Sequence, residues 1–300
     1  MELIIVSISE GLLWGVMALG IFISFRVLRL ADLTIEGSFP LGAAIASLLI
    51  TEGVHPIIAT ISALIGGALG GLVTGLLMTK FRIPPLLAGI LTMTGLYSIN
   101  LRIMGRANIS LLNHPRVTQL LNGVLPLPTL TNVIIVGTIV TVLIVSVLYL
   151  FFRTDLGQAL IATGDNERMA KAMGINTSSM KVLGLMAGNG LVALSGALIA
   201  QNNGYADISM GIGTIVIGLA SVMIAEVVFN NVSFGVRLSS LAIGSIFYRL
   251  IISSALSLGL QPNDLKLISA ILLALVISIP SFYDDYINRL NFKKEGKANV

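Results

Sequence analysis

Residues 131–152 read Thr-Asn-Val-Ile-Ile-Val-Gly-Thr-Ile-Val-Thr-Val-Leu-Ile-Val-Ser-Val-Leu-Tyr-Leu-Phe-Phe, without one charged side chain. Rising 1.5 Å per residue, such a run reaches about 33 Å as a helix, enough to cross a hydrocarbon core of about 30 Å. Similar runs recur on both sides of it, near 5–25, 38–51, 55–79 and 84–103 before it and near 181–201, 211–229, 233–254 and 265–283 after it. The pattern predicts an all-α polytopic transmembrane helical bundle of about nine membrane segments. The second run is short and reads as a tilted or incomplete crossing.

The composition agrees. Of 300 residues, 55% are hydrophobic and 11% charged, with a mean hydropathy of +0.96. A soluble domain carries about 25% charged residues, so this chain lacks the polar side chains to cover a water-facing surface. A soluble enzyme and a nucleic-acid binder are thereby excluded, and membrane lipids are expected as the surrounding solvent. Cysteine is absent, which removes disulfides and thiolate metal sites. His55 and His114 lie in unrelated loops and predict no metal centre. Met1-Glu2 runs straight into apolar residues, with neither a basic n-region nor a small-residue cleavage site, so the first run reads as a retained span.

An N-terminus outside and a C-terminus inside place 13 of the 18 Lys and Arg in the cytoplasm. Arg102, Arg106, Arg116, Arg249 and Lys266 stay outside, a split that satisfies the positive-inside rule. Two connections exceed simple turns. The outer one, 104–131, has room for short interfacial helices; the inner one, 153–181, is the extended cytoplasmic segment between spans. The expected organisation is one transmembrane domain over 1–300, with halves 1–152 and 182–290, the loop 153–181 between them and a tail at 291–300.

Ala31-Asp32-Leu33-Thr34 precedes the second run and Ala206-Asp207-Ile208-Ser209 the seventh. In this topology they meet the membrane from opposite sides, the mark of an inverted-topology repeat with broken helices near a pathway. Asp32, Thr34, Glu36 and Phe39 on one side, and Asn202 and Asp207 on the other, are therefore pathway or gate candidates. Thr92, Thr94 and Ser98 in the fourth run and Asn189 in the sixth join them, either lining a polar passage or bonding neighbouring helices. Glu226 reads as the partner of a nearby base such as Arg237, and Glu10 as reaching the interface. In the third run, Gly66, Gly70 and Gly67, Gly71, Gly75 fall at four-residue intervals, which suits close helix packing inside one subunit or between two.

Within the inner loop, 165–173 predicts a short amphipathic helix. Met169, Ala170 and Met173 share one face, Glu167, Arg168 and Lys171 stay polar, and Gly174 closes the C-terminus. Such a helix suits docking into a groove of a soluble partner; otherwise it lies on the membrane surface.

The order Ala162, Gly164, Asn166, Ala170, Gly174, Ile175, Asn176 followed by a span resembles the signature loop of permease subunits of bacterial ABC importers of the branched-chain amino acid and ribose type. Ile83-Pro84-Pro85 leading into Thr92-Met93-Thr94 resembles that family's fourth-span entry, and the segment after Arg29 its short helix near the pathway. The resemblance implies a multi-pass protein of the bacterial cytoplasmic membrane. It implies that Gly164, Asp165, Asn166, Met169, Ala170, Met173, Gly174, Ile175 and Asn176 contact an ATPase subunit, and that the permease pairs with a second copy. It also implies an extracytoplasmic solute-binding protein, for which Arg102, Arg106 and Arg116 are docking candidates. No G-x-x-x-x-G-K-[ST] occurs in the chain, so it is read as a non-catalytic transport subunit that binds no cofactor, with ATP and Mg on the partner ATPase. The acidic run 32–37 departs from branched-chain and sugar members, and an aromatic amino acid branch is one reading of that departure. The expected function is the pathway of an ATP-driven importer for a small solute such as an amino acid. The alternative is a stand-alone secondary transporter with inverted repeats. A charge at Ala170 is expected to uncouple hydrolysis from uptake without unfolding the protein.

Overall fold

Proline in the first turn and left-handed glycine after the last turn set several helix boundaries, as the backbone chemistry of helix ends favours. In this computed structural model, which describes residues 2–119, 128–229, 232–261 and 264–278, Pro56 and Pro85 open helices, and Gly105 (φ +64°) and Gly204 (φ +79°) close them. In chain order the elements are α1 (Glu2–Ile21), α2 (Ile35–Thr51), α3 (Pro56–Thr79), α4 (Pro85–Met104), β1 (Asn108–Ser110), α5 (Thr129–Phe152), α6 (Asp155–Asp165), α7 (Glu167–Ala172), α8 (Thr177–Asn203), β2 (Tyr205–Asp207), α9 (Thr214–Val228), α10 (Phe234–Ser257) and α11 (Leu265–Ser278). A π-helical turn, Phe22–Val27, extends α1, and a 3-10 turn, Ile208–Gly211, precedes α9.

Seven helical stretches among the described residues are long and apolar enough to cross a membrane, while α2 and α11 are shorter apolar helices. The nine expected runs thus divide into seven candidate full spans and two shorter pieces. α2 is short because its chain enters late: residues 28–34 are irregular and the helix begins only at Ile35. The expected ninth span is described as far as Ser278; its last residues, the end of the second half and the 291–300 tail lie outside the described residues. α8 starts at Thr177, so the last residues of the expected inner loop already belong to it.

Three helices form the interior: α8, α2 and, over residues 11–24, α1 with its π-helical turn. Every residue of α8 from Gly188 to Gln201 is buried, as a helix surrounded by others requires. α2 lies against it at backbone distance: a Cβ on Gly42 would sit 1.9 Å from the Ala193 carbonyl oxygen, and one on Gly196 would sit 2.0 Å from that of Phe39. The glycine stripe of α3 does the same work on another side. A Cβ at Gly67 would stand 2.4 Å from the Asn189 carbonyl and one at Gly71 would stand 2.2 Å from that of Leu185. The 67, 71, 75 stripe therefore packs α3 onto α8 within one chain, by the close backbone approach that small residues permit in membranes.

At one end of the bundle, β1 and β2 pair antiparallel with Asn108 opposite Asp207, Ile109 opposite Ala206 and Ser110 opposite Tyr205. The connection after α4, expected to offer interfacial helices, supplies this strand and a single 3-10 turn at 117–119 instead; residues 120–127 lie outside the described residues. At the opposite end sit α6 and α7.

Candidate translocation and coupling site

The interrupted entry to α2 buries a carboxylate. Leu28 and Leu30 still donate backbone hydrogen bonds to Ile23 and Ser24, at 3.0 and 2.9 Å, and Arg29 between them adopts φ +55°. That left-handed residue turns the chain out of helix. Asp32 is then buried. Its Oδ1 accepts the Thr34 backbone N–H at 2.9 Å and its Oδ2 accepts Asn189 Nδ2 at 2.6 Å. Asn189 in turn accepts from Ser38 Oγ at 2.7 Å, and the Thr34 and Thr74 hydroxyls meet at 2.7 Å. Three of the sequence-predicted residues, Asp32, Thr34 and Asn189, are thus one hydrogen-bonded cluster joining α2, α3 and α8. A buried polar group at this depth survives only when satisfied in this way.

The related segment is built alike locally. Asp207 Oδ1 accepts the Ser209 N–H at 2.7 Å, the same two-residue side-chain turn as Asp32 makes with Thr34. It is less covered, and Asn108 Nδ2 reaches its Oδ2 at 3.2 Å. The Ser209 hydroxyl, then the Ser209 N–H and Asn108, hold the Asp207 carboxyl below its ordinary range. The two segments also touch. Glu36 Oε1 accepts the Gly213 N–H at 3.0 Å at the start of α9, and a Cβ on Gly211 would lie 2.1 Å from the Glu36 carbonyl oxygen. Asn202 is half-buried in the last turn of α8. Phe39 departs from its expected role: it is buried, stacked on Trp14 at a centroid distance of 5.3 Å, and belongs to the core.

α4 separates its polar residues onto two faces. Thr92 and Asn100 turn inward, with Thr92 Oγ1 donating to the Ala88 carbonyl at 3.0 Å and Asn100 Nδ2 to that of Gly37 at 3.1 Å. Thr94 and Ser98 turn outward beside Gly95 and Tyr97. Of the seven long helices α4 is the least apolar and also the least covered, whereas α5, exposed to a similar degree, is the most apolar. Both outer faces mix hydroxyls with large apolar side chains: Thr94 and Ser98 sit among Leu86, Leu87, Ile90, Leu91 and Ile99 on α4, and Thr138 and Ser146 among Ile139, Val142, Leu143 and Val147 on α5.

In the 153–181 connection, Asn166 caps α7 by accepting the Met169 N–H at 3.1 Å, a favoured N-cap arrangement. Gly174, at φ +85°, follows α7, and Ile175 N donates to the Ala170 carbonyl at 3.0 Å. Asn176 caps α8 through the Ser179 N–H at 3.2 Å. Glu167 pairs with Lys181 at 2.7 Å and Lys171 at 2.9 Å, and these hydrogen bonds, that of Lys181 foremost, lower its pKa to about 2. The predicted apolar face is split. Met169 and Met173 are 61% and 72% exposed, but Ala170 is 2% exposed. Ala170 therefore packs inward and is withdrawn from the docking face, and a charge there would perturb folding before it tested any contact. Gly164 and Asp165 also face their own chain: a Cβ on Gly164 would lie 1.8 Å from the Val27 carbonyl oxygen, and Asp165 Oδ1 pairs with Arg29 Nη2 at 2.7 Å. Arg29 carried no signal in the sequence beyond its charge, because a left-handed Arg is not readable from residue type.

Of the three arginines at the β-ribbon end, Arg102 and Arg106 are exposed. Arg116 is not free: its Nη1 donates to the Gln201 carbonyl at 3.2 Å, against the negative end of α8. Glu226 pairs with Arg237 and, at 2.8 Å, with Arg26. Glu10 pairs at 3.2 Å with Arg249, whose guanidinium lies 4.5 Å from the Trp14 ring centroid.

Comparison with known proteins agrees with the sequence resemblance. The chain is 40% identical over 299 residues to a tyrosine transport system permease protein of Clostridioides difficile (strain R20291), covering 97% of this chain and 98% of that one. It is 36% identical to an uncharacterized protein of Rickettsia prowazekii (strain Madrid E), covering 93% and 98%. A metal-chelate-type ABC transporter in an inward-facing conformation shares the fold, with a TM-score of 0.51 at 18% identity over 92% of this chain and 85% of that one. The family profile described as branched-chain amino acid transport system, permease component, matches residues 3–279. This chain therefore belongs to that permease family, as a multi-pass membrane subunit of an ABC transporter.

Proposed function

We propose that two copies of this chain form the membrane pathway of an importer for an amino acid, an aromatic one such as tyrosine, delivered by an extracytoplasmic binding protein and driven by separate ATPase subunits that hold ATP and Mg. The N-terminus lies outside and the C-terminus inside, with nine segments in the membrane counting α2 and α11. This orientation puts α6 and α7 in the cytoplasm and the β ribbon outside. The observation that carries the reading is the α7 surface: a capped short helix that projects Met169 and Met173 into water while Ala170 anchors it. Two exposed apolar side chains one turn apart suit a groove on an ATPase. The pathway runs along the outer face of α4, where Thr94 and Ser98 sit on the least apolar and least covered long helix. Arg102 and Arg106 offer the binding protein a basic edge. The aromatic substrate rests on the transport system of the Clostridioides difficile relative.

Reconstitution tests this directly. Proteoliposomes holding the chain with its ATPase, supplied with binding protein and labelled tyrosine, are expected to accumulate label only with ATP on the ATPase side. Accumulation by the chain alone on an ion gradient would overturn the reading in favour of a secondary transporter. Met169→Glu with Met173→Glu is expected to abolish ATPase co-purification while the permease stays folded; retained association would remove α7 from the contact.

A further inference from the structure

We propose that residues 27–36 act as a strap that carries displacement of the cytoplasmic α6–α7 loop directly to the start of α9, a role that rests on the importer reading above. At its lower end the strap touches α6 without an intervening side chain. A Cβ at Gly164 would lie 1.8 Å from the Val27 carbonyl oxygen and 2.9 Å from Leu28 Cα, and the Arg29–Asp165 pair at 2.7 Å ties the same two segments. Leu28 packs against Gly184, where a Cβ would meet its Cδ1 at 2.5 Å and Leu160 Cδ1 at 3.2 Å. The Asp32–Asn189 and Thr34–Thr74 bonds, at 2.6 and 2.7 Å, stiffen the middle. At the upper end Glu36 holds the Gly213 N–H at 3.0 Å and its backbone abuts Gly211.

Close-packed contacts of this kind pass on a shift in place of absorbing it. The exposed ion pair alone contributes little energy; the backbone contact at Gly164 is the stiffer join. A displacement of α6 therefore moves Val27 and Leu28, then Glu36, then the first turn of α9, without travelling the length of α8. Arg29 and Gly164 are positioning residues in this scheme, since neither touches solute.

The cysteine-free sequence permits a clean test in the complete reconstituted importer. Gly164→Ala, which inserts a methyl group between α6 and the strap, is expected to lower tyrosine uptake per ATP hydrolysed by about fivefold or more, the lower end of ordinary coupling strengths. A short, reducible bis-thiosulfonate link between R29C and D165C in the same background is expected to restore the ratio, and reduction to remove the rescue. An unchanged ratio in Gly164→Ala, or failure of the link to restore it, overturns the strap. If Gly164→Ala does not assemble, the link in the otherwise unaltered chain decides. A ratio within about twofold of the reduced form supports loop and strap moving as one body, whereas any larger fall, about fivefold at ordinary coupling strengths, shows that they move apart. A merely structural contact would lower the amount of assembled complex and leave uptake per ATP unchanged. Failure of the importer reading is separately visible, as unaltered proteoliposomes with no ATP-dependent uptake.

Discussion

Asp32 and Asp207 open with the same local device and end in opposite surroundings. Each follows an alanine, each accepts the backbone N–H two residues ahead, and each precedes a helix that starts late. Asp32 is buried and bonded to Asn189 on α8, while Asp207 sits partly exposed beside Asn108. The local motif is a property of four residues, but the cost of disturbing it is set by what surrounds it. Dry surroundings leave a severed hydrogen bond unrepaired; wet ones supply water. The largest expected effect follows. Asp32→Ala leaves the Thr34 N–H and one of the two Asn189 Nδ2 hydrogens without an acceptor, the other still meeting the Leu185 carbonyl at 3.1 Å, and two severed buried hydrogen bonds lower stability by about 3 kcal/mol. Thermal unfolding in detergent measures this. A midpoint within a degree of the unaltered protein would erase the distinction between the two segments.

The next test attacks the wall that keeps Asp32 dry. Gly71→Val places a branched side chain where even a Cβ would stand 2.2 Å from the Leu185 carbonyl, forcing α3 away from α8 beside the cluster. Overpacking of this kind costs about 1–3 kcal/mol. Gly95→Val, on the open face of α4 where nothing lies within 4 Å, is expected to leave the midpoint nearly unchanged. Equal destabilisation by both substitutions would show that the glycine stripe does not hold the buried segment.

Glu36→Gln sharpens the comparison where the two segments meet. The amide oxygen still accepts the Gly213 N–H, so stability is expected to change by less than about 1 kcal/mol. The negative charge facing the positive end of α9 is lost, however. Uptake is expected to fall severalfold with binding-protein affinity unchanged; unaltered uptake would confine Glu36 to a packing role.

The crossing helices were legible because lipid admits so few residue types: an uncharged run such as 131–152 has no other environment available. The candidate site was legible in part. Asp32 stood out through the repeated Ala-Asp segment and Asn189 as a polar residue within a span, but nothing in a sequence separation of 157 positions announces that they bond to each other. Thr74, the hydroxyl that completes the cluster, reads as one more threonine in an apolar helix. Ala170 failed for a geometric reason. Positions 169, 170 and 173 fall within one arc of a helix, and only the packing of α7 against its own chain decides which edge of that arc turns inward. Phe39 failed likewise, since an aromatic beside an acidic run looks the same whether it lines a passage or stacks on Trp14. The structure adds to the likeness of the two four-residue segments a matching side-chain turn, from Asp32 to Thr34 and from Asp207 to Ser209.

Asp207 gives the smallest expected effect and the test of sign. Its carboxyl is held below the ordinary aspartate range by Ser209 and Asn108. A group whose folded pKa is depressed contributes stability that is present above its unfolded value, near 4, and is lost as pH falls through the lower folded value. From pH 8 to 5 that contribution is complete, so the Ser209 amide is expected to keep constant protection once exchange rates are corrected for intrinsic pH dependence. Only as pH falls through the depressed folded value, below the ordinary aspartate range, does the carboxyl protonate, the acceptor weaken and protection at Ser209 fall. Asp207→Ala should remove this pH response and cost about 1 kcal/mol or less, because water replaces the lost bonds at this exposed turn. A pH response that persists in Asp207→Ala would assign it to another group. A loss of stability as large as that of Asp32→Ala would mean that the ribbon end is as dry as the interior, and that the shared turn, not its surroundings, sets the energy.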